Sequence, residues 1–305
     1  MSFEVKNLSV KSTDNIHTLQ GKIYIPSGDI KGLFHIIHGM TEHIERYDKF
    51  MSFLAENGYV AFGYDNLGHG KTVRDDSELG FISYHNGWKY LVNDVNAFAE
   101  VVKNMYPMLP LYLFGHSMGS FIARLAAESF KENYEKVIFC GTGGKNPLSP
   151  FGLLTTDIIG FFRGKKHISK LVYSMAFGSY NKRFNGNTGR EWLTKDKEII
   201  EKYRNDKFCN FQFTVSAMHD LIKLNAHCNR NAWFESLNPH TPILLIAGDQ
   251  DPVGNYGKGV IWVYNKLIKN KNTAEIKLYE NCRHEILNDS LKDEVTNDIL
   301  NFLRK

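Results

Sequence analysis

Short, nearly continuous apolar runs separated by helix-period stretches set the pattern of this chain. Leu33 to Ile37, Tyr59 to Tyr64, Leu111 to Phe114, Val137 to Cys140, Ile243 to Ala247 and Ile276 to Tyr279 are such runs, as expected of strands buried on both faces of a parallel sheet. Ahead of them, Phe3 to Val10 and Leu19 to Ile25 are β-like and joined through a polar Lys-Ser-Thr-Asp-Asn stretch, which predicts a hairpin. Tyr47, Phe50, Met51 and Leu54 recur at helical spacing and stop at Asn57-Gly58. Leu291, Val295, Ile299 and Phe302 do the same near the end of the chain, with Asp289 as the expected cap. Strand and helix alternating in this order predict an α/β fold, a mostly parallel sheet flanked by helices on both faces.

The strand rhythm stops between about Lys145 and His240 and resumes at Pro242. The intervening sequence is helix-like, aromatic and basic. The expected organisation is therefore a core over residues 1–144, an inserted helical lid over 145–240, and the rest of the core over 241–305. Because the strands on both sides belong to one sheet, the lid is expected over the carboxyl ends of the strands, where open α/β sheets bind ligands.

Length and composition narrow the classes. With 305 residues, 43% of them apolar and 23% charged, the chain can bury a large core in one or two domains. Its longest apolar stretch, Leu148 to Phe162, is short and broken by Asp157, and the amino terminus carries no basic-then-apolar leader, so neither a spanning nor a secreted protein is expected. Cys140, Cys209, Cys228 and Cys282 are scattered without a C-x-x-C pair, which fits reduced thiols in a cytoplasm. A net charge of +4 is too small to imply a nucleic-acid partner. The charge is uneven, however: Arg163 to Lys207 holds twelve Lys or Arg against five Asp or Glu, an excess of +7, while the remainder holds 25 basic against 28 acidic residues.

Gly115-His116-Ser117-Met118-Gly119 follows the run Leu111 to Phe114 and precedes the helix-compatible Ser120 to Ala127. Strand, sharp turn and helix form the context of a nucleophile elbow, in which a serine in a strained turn needs glycine two positions to either side. A serine hydroxyl is a poor nucleophile until a base takes its proton. In this architecture the chain order is serine, acid, histidine. The last histidine, His284, lies just after the strand Ile276 to Tyr279 and is the expected base. The acid is expected after Ile243 to Ala247, in Gly248-Asp249-Gln250-Asp251-Pro252. Asp251 is favoured, because Gly248 allows the chain to turn and Pro252 holds Asp251 extended. Asp249 then reads as a turn-forming side chain.

The tetrahedral intermediate needs two backbone N–H donors. Met118, after the serine, is expected to supply one, and Met40, in His38-Gly39-Met40 directly after Leu33 to Ile37, the other, with Gly39 letting the backbone approach the substrate. His35 and His38 do not read as metal ligands, since residues three apart on a strand point to opposite faces.

Taken together, several blocks resemble the monoacylglycerol lipase and lysophospholipase branch of the α/β-hydrolases, the serine aminopeptidase-like hydrolases. They are His38-Gly-Met-Thr-Glu42-His43-Ile-Glu-Arg46-Tyr47, Tyr64-Asp65-Asn-Leu-Gly68-His69-Gly70, Gly-His-Ser117-Met-Gly, Gly-Asp-Gln-Asp251 and Arg-His284-Glu. Trp192-Leu-Thr-Lys-Asp196 and Tyr203-Arg-Asn-Asp206-Lys-Phe-Cys209 are similar to bacterial members. The resemblance implies an eight-stranded sheet with a helical cap, Ser117, Asp251 and His284 as a triad, and no metal or organic cofactor. It also implies that Glu42, His43, Arg46 and Asp65 brace the oxyanion loop.

The expected function is a serine carboxylester hydrolase acting through an acyl-enzyme on monoacyl lipids or related small acyl esters. Phe151 to Phe162 is suited to wall an acyl tunnel or to make peripheral contact with a membrane or micelle, and equally to pack as a cap helix on the core. The basic stretch after it is suited to attract anionic head groups or to stand as a solvated face. An amidase or aminopeptidase of the same fold is the alternative, disfavoured by a basic lid, since holding a free amino terminus calls for carboxylates. A non-catalytic binding module is disfavoured by the presence of all three triad candidates.

Overall fold

The computed structural model describes residues 2–305. Phe3–Lys11 (β1) and Thr18–Pro26 (β2) pair antiparallel, with Lys11 opposite Thr18, so the polar stretch between them is the hairpin connection. The chain then alternates through Gly32–Ile37 (β3), Asp48–Glu56 (α1), Tyr59–Tyr64 (β4), Gly87–Met105 (α2), Leu111–His116 (β5), Met118–Ser129 (α3) and Lys136–Cys140 (β6). Five helices follow: Ser149–Arg163 (α4), Lys170–Phe177 (α5), Lys197–Asn205 (α6), Val215–Cys228 (α7) and Asn231–Ser236 (α8). Ile243–Gly248 (β7), Lys258–Lys269 (α9), Ala274–Tyr279 (β8) and Lys292–Arg304 (α10) complete the chain.

The eight strands form one sheet in the order β1-β2-β4-β3-β5-β6-β7-β8, parallel from β4 onward. Strands β3 to β7 are buried along their whole length, which explains why they read as unbroken apolar runs. Alternate residues feed two cores. Leu33, Ile37, Leu113 and Leu245 pack with Phe98 of α2, Ile122 of α3 and Val263 of α9 on one face. Phe34, Ile36, Phe114 and Ile246 pack with Met51 of α1 and Ile299 of α10 on the other.

The connection from β3 runs outward to β4, and the connection from β4 returns across β3 to β5. The loops after β3 and β5 therefore diverge at the carboxyl edge, opening the crevice that such a reversal creates.

The segment between β6 and β7 is helical, and its two halves differ. From α7 and α8, Leu224, Trp233 and Phe234 join the core that contains Ile122. Trp233 Nε1 donates to the Arg124 carbonyl (2.7 Å), and the fully buried Arg124 guanidinium lies over the Trp233 ring at 4.3 Å. By contrast, α4 buries only Ser149, Thr156 and Gly160 and leaves Leu154, Ile158, Phe161 and Phe162 exposed.

One expected cap is placed otherwise. Asp289 does not cap α10, whose N-cap position is Leu291. Its carboxylate instead accepts the Arg283 and Ser290 N–H groups (2.8 Å each), tying down the loop before the helix.

Candidate active site

Ser117 sits at the turn from β5 into α3 with φ 55° and ψ −122°, a conformation that L-residues adopt only under constraint. The constraint is packing. A Cβ on Gly115 would lie 2.2 Å from the Gly119 carbonyl oxygen, and one on Gly119 would lie 2.2 Å from that of Ile37. Both glycines are thus required by close backbone approach, and the turn lifts the serine hydroxyl into a cavity of about 830 Å³.

Asp251 and His284 meet across the ends of β7 and β8. His284 Nδ1 is 2.9 Å from Asp251 Oδ2, and Asp251 Oδ1 accepts the Val253 N–H at 2.8 Å. Both residues are buried, at 0% and 2% exposure, so the carboxylate is pinned on both oxygens and fixes the ring. Asp249 makes no such contact; its Oδ1 is buried without a partner. The turn expected of the Asp249 side chain is closed by backbone instead, Asp251 N–H to the Gly248 carbonyl at 3.2 Å. Gly248 is needed for a different reason than turning: a Cβ there would stand 2.1 Å from the Cys282 carbonyl oxygen. Ser117 and His284 line the same cavity, with no direct hydrogen bond between their side chains among the described residues. Such bonds commonly tighten only when substrate is bound.

Met40 and Met118 also line the cavity. Met118 opens α3, where the first backbone N–H groups have no partner within the helix. The loop carrying Met40 is pressed against the serine, since a Cβ on Gly39 would fall 2.9 Å from that of Ser117. Glu42 holds this loop by accepting the Gly39 N–H, and the same oxygen also accepts the Tyr47 hydroxyl (2.9 Å). Arg46 bridges Glu42 (2.9 Å) to Glu285 (2.7 and 2.8 Å), the residue after His284. Asp65 accepts the Ile44 and Lys71 N–H groups (2.8 and 2.7 Å), joining the loops after β3 and β4.

His38 directs both ring nitrogens into the loop structure: Nδ1 faces the Gly39 carbonyl at 2.8 Å and Nε2 accepts the Asn66 N–H at 2.8 Å. His35 stacks on Phe62 at 4.5 Å, and burial pushes its pKa down to about 3, so it is a neutral core ring.

His116 was not singled out by sequence, yet it joins the two loops. Its Nδ1 lies 3.0 Å from Glu42 Oε1, and its Nε2 lies 3.3 Å from the His284 carbonyl. Both partners are acceptors, so the form that satisfies both contacts at once is the imidazolium, with both nitrogens donating. Burial opposes that charge, but the Glu42 hydrogen bond and charge outweigh it and raise the His116 pKa above the ordinary histidine value. Conversely, burial works against the Glu42 carboxylate, while His116 and Arg46 hold its pKa well below the usual range.

The helical segment supplies further contacts that sequence reasoning missed. The Trp192 ring lies tilted by 38° against that of His284, centroids 5.1 Å apart; the Trp192 carbonyl accepts the His284 N–H (3.3 Å), and the Leu193 carbonyl accepts that of Glu285 (2.7 Å). The Tyr203 hydroxyl is 2.7 Å from Thr41 Oγ1, and His43 Nε2 is 2.9 Å from Asp206 Oδ2. The available signal was the pair of blocks around Trp192 and Tyr203, whose likeness to relatives carried no assigned role. Cys209 lies with His43 and Asp206, their ligand-type atoms within 4.8 Å of one another. Burial pushes the Cys209 thiol far up and His43 is already bonded to Asp206, so the trio fits a hydrogen-bonded seam between helix and loop.

A family model described as serine aminopeptidase, S33, matches residues 28–291. The monoglyceride lipase of Rattus norvegicus is 25% identical over 279 residues, covering 90% of this chain and 82% of that one. The monoacylglycerol lipase of Mycolicibacterium smegmatis is 22% identical, covering 96% and 98%. Among solved structures, a thermostable carboxyl esterase from Bacillus coagulans in complex with glycerol is 31% identical, with a TM-score of 0.92 over 99% of both chains. With the eight-stranded sheet and the turn at Ser117, these likenesses establish that the chain belongs to the serine aminopeptidase S33 family of α/β-hydrolases.

Proposed function

We propose that this protein is a serine carboxylester hydrolase for monoacylglycerol-type esters. Ser117 is the nucleophile, His284 the general base, Asp251 the acid that orients it, and the Met40 and Met118 N–H groups the oxyanion donors. The observation that carries this reading is the Asp251–His284 hydrogen bond at the wall of the same large cavity onto which the strained Ser117 opens. As His284 Nε2 takes the hydroxyl proton, Ser117 Oγ attacks the ester carbonyl. The resulting oxyanion is met by the two N–H groups, and His284 returns the proton to the leaving alcohol. Water then attacks the acyl-enzyme with His284 again as base, releasing the fatty acid.

The relatives named as monoglyceride and monoacylglycerol lipases support a glyceryl ester as substrate. An aminopeptidase would need a free carboxylate for the substrate's amino terminus. The acidic residues lining the cavity, Glu42 and Glu285, are both engaged by Arg46.

Within residues 145–240, α4 to α6 act as a lid, whereas α7 and α8 pack on the core. Leu148, Phe151, Gly152 and Thr155 line the cavity, while Phe161 and Phe162 stand 82% and 77% exposed beside Lys165 and Lys166. That arrangement supports peripheral contact with a lipid surface. No helix is long and apolar enough to cross a membrane. Four buried, unpaired cysteines support a reducing, cytoplasmic setting.

The test is hydrolysis of p-nitrophenyl esters, monoacylglycerols and aminoacyl amides by the wild type and S117A, with a fluorophosphonate probe mapped by mass. Turnover confined to esters, abolished in S117A, with the adduct on Ser117, is expected. Activity retained in S117A, or an adduct on another serine, would reject the assignment.

A further inference from the structure

Arg124, near the middle of α3, is a buried cation that the reaction above does not use. It is 0% exposed and forms no ion pair among the described residues. Burial pushes its pKa below the ordinary arginine value. All its hydrogen-bond partners are neutral oxygens: Nη1 donates to the Gly143 carbonyl (3.2 Å), and Nη2 to the Cys228 carbonyl and to Asn229 Oδ1 (3.1 Å). Withdrawing a guanidinium from water without a counter-charge costs free energy. A methionine packed on the Trp233 ring would avoid that cost, but it would supply no donors.

Those donors reach the loop after β6, and this loop touches every member of the proposed triad. The Cys140 carbonyl accepts the Ser117 N–H (2.9 Å), tying the strained turn to the end of β6. Gly141, with φ 58°, lies against the His284 ring, where a Cβ would stand 3.1 Å from Cε1. A Cβ on Gly143 would stand 3.2 Å from the carbonyl oxygen of Val253, whose N–H donates to Asp251 Oδ1. With glycine at 141, 143 and 144, the loop has many conformations open to it. It is held by its carbonyls from outside: Gly143 by Arg124 and by Asn229 Nδ2 (3.3 Å), Gly144 by Asn225 Nδ2 (3.2 Å).

We propose that Arg124 is a positioning residue for the hydrolysis: from the helix that follows the nucleophile it fixes the loop after β6, and through that loop the mutual placement of Ser117, Asp251 and His284. This rests on the serine-esterase reading of the same site. Arg124 touches no reacting atom. Its planar fork spans the loop and the end of α7 at once, a geometry that a lysine reproduces only in part. Displacing catalytic groups by about 1 Å from a distance can cost about a hundredfold in rate.

The wild type, R124M, R124K and L54A are to be compared on p-nitrophenyl butyrate at a temperature where circular dichroism finds all four folded. Leu54 of α1 is buried in the core on the opposite face of the sheet, so L54A lowers stability without reaching the loop. The kcat should fall about tenfold or more in R124M, recover in part in R124K, and stay within about twofold of the wild type in L54A. The rate at which a fluorophosphonate modifies Ser117 should fall in parallel, since it reads the reactivity of the serine itself. If R124M does not fold, N229A, which removes the other side-chain donor to the Gly143 carbonyl, stands in for it, with a kcat loss of about threefold or more expected. Unchanged kcat and labelling in folded R124M, or in N229A where it stands in, overturns the positioning role, as does an equal loss in L54A. A wild type that neither hydrolyses p-nitrophenyl butyrate nor takes the fluorophosphonate at Ser117 would sink the esterase reading, and the positioning role with it.

Discussion

The carbonyl oxygen of His284 lies 3.3 Å from Nε2 of His116, the residue immediately before Ser117. The backbone of the proposed base is thus tethered to the strand that leads into Ser117, and His116 donates both to this carbonyl and to Glu42 only while it keeps both protons. Its pKa is raised in the folded protein, where burial is outweighed by Glu42. A group whose pKa is raised on folding contributes stability that is complete below its unfolded value, about 6.5 for histidine, and lost as pH rises through the folded value. Melting curves of the wild type should therefore drop in Tm as pH climbs above the ordinary histidine range. H116Q should melt lower at about pH 6, by about 1–3 kcal/mol, and lack this descent. Parallel curves for the two proteins would refute a charged His116.

Asp251 and Asp249 make a direct comparison. D251N leaves His284 Nδ1 facing an amide and favours the wrong tautomer, which should lower kcat by several orders of magnitude. D249N should lower it little, since Asp249 makes no contact with the histidine. Steady-state kinetics on one soluble ester decide the matter, and the reverse order would transfer the role to Asp249.

Arg46 joins two buried carboxylates, so removing it leaves Glu285 without its cation and Glu42 with His116 alone. R46M should lower stability by about 3–5 kcal/mol in denaturant titrations, and R46M/E285M by less than R46M alone, because the pair then leaves together. A double variant less stable than R46M would contradict that account.

If α4 and the lysines that follow it meet a lipid surface, acyl esters should be cleaved faster on anionic than on neutral micelles. The preference should shrink as salt shortens the Debye length to about 8 Å. Replacing Lys165, Lys166 and Lys170 together with glutamine should abolish it. Identical rates on both micelle types would remove the membrane-facing role and leave the ester chemistry intact.

The parallel strands were legible because burial on both faces leaves no polar alternation, and the proposed triad Ser117, Asp251 and His284 could be named because each follows a recognisable strand in a fixed chain order. Pairings such as Thr41 with Tyr203, separated by 162 positions, have no periodicity to betray them. His116 was hidden differently: its neighbour Ser117 drew the motif, whereas its partners Glu42 and His284 lie on two other loops. Asp289 illustrates the converse, since a residue suited to capping a helix was drawn instead to the Arg283 N–H.

The carbonyls of Trp192 and Leu193, which receive the N–H groups of His284 and Glu285, bear on how this scaffold can be recombined. The helical segment between β6 and β7 invites exchange among relatives as a cassette, because its ends lie on one sheet. A cassette spanning the whole segment would carry away the two hydrogen bonds that seat the histidine loop, and with them Tyr203 and Asp206, the partners of the loop after β3. A junction placed before Glu191 leaves that support with the host. The helices α4 and α5 can then be exchanged without importing a stranger's seat for His284.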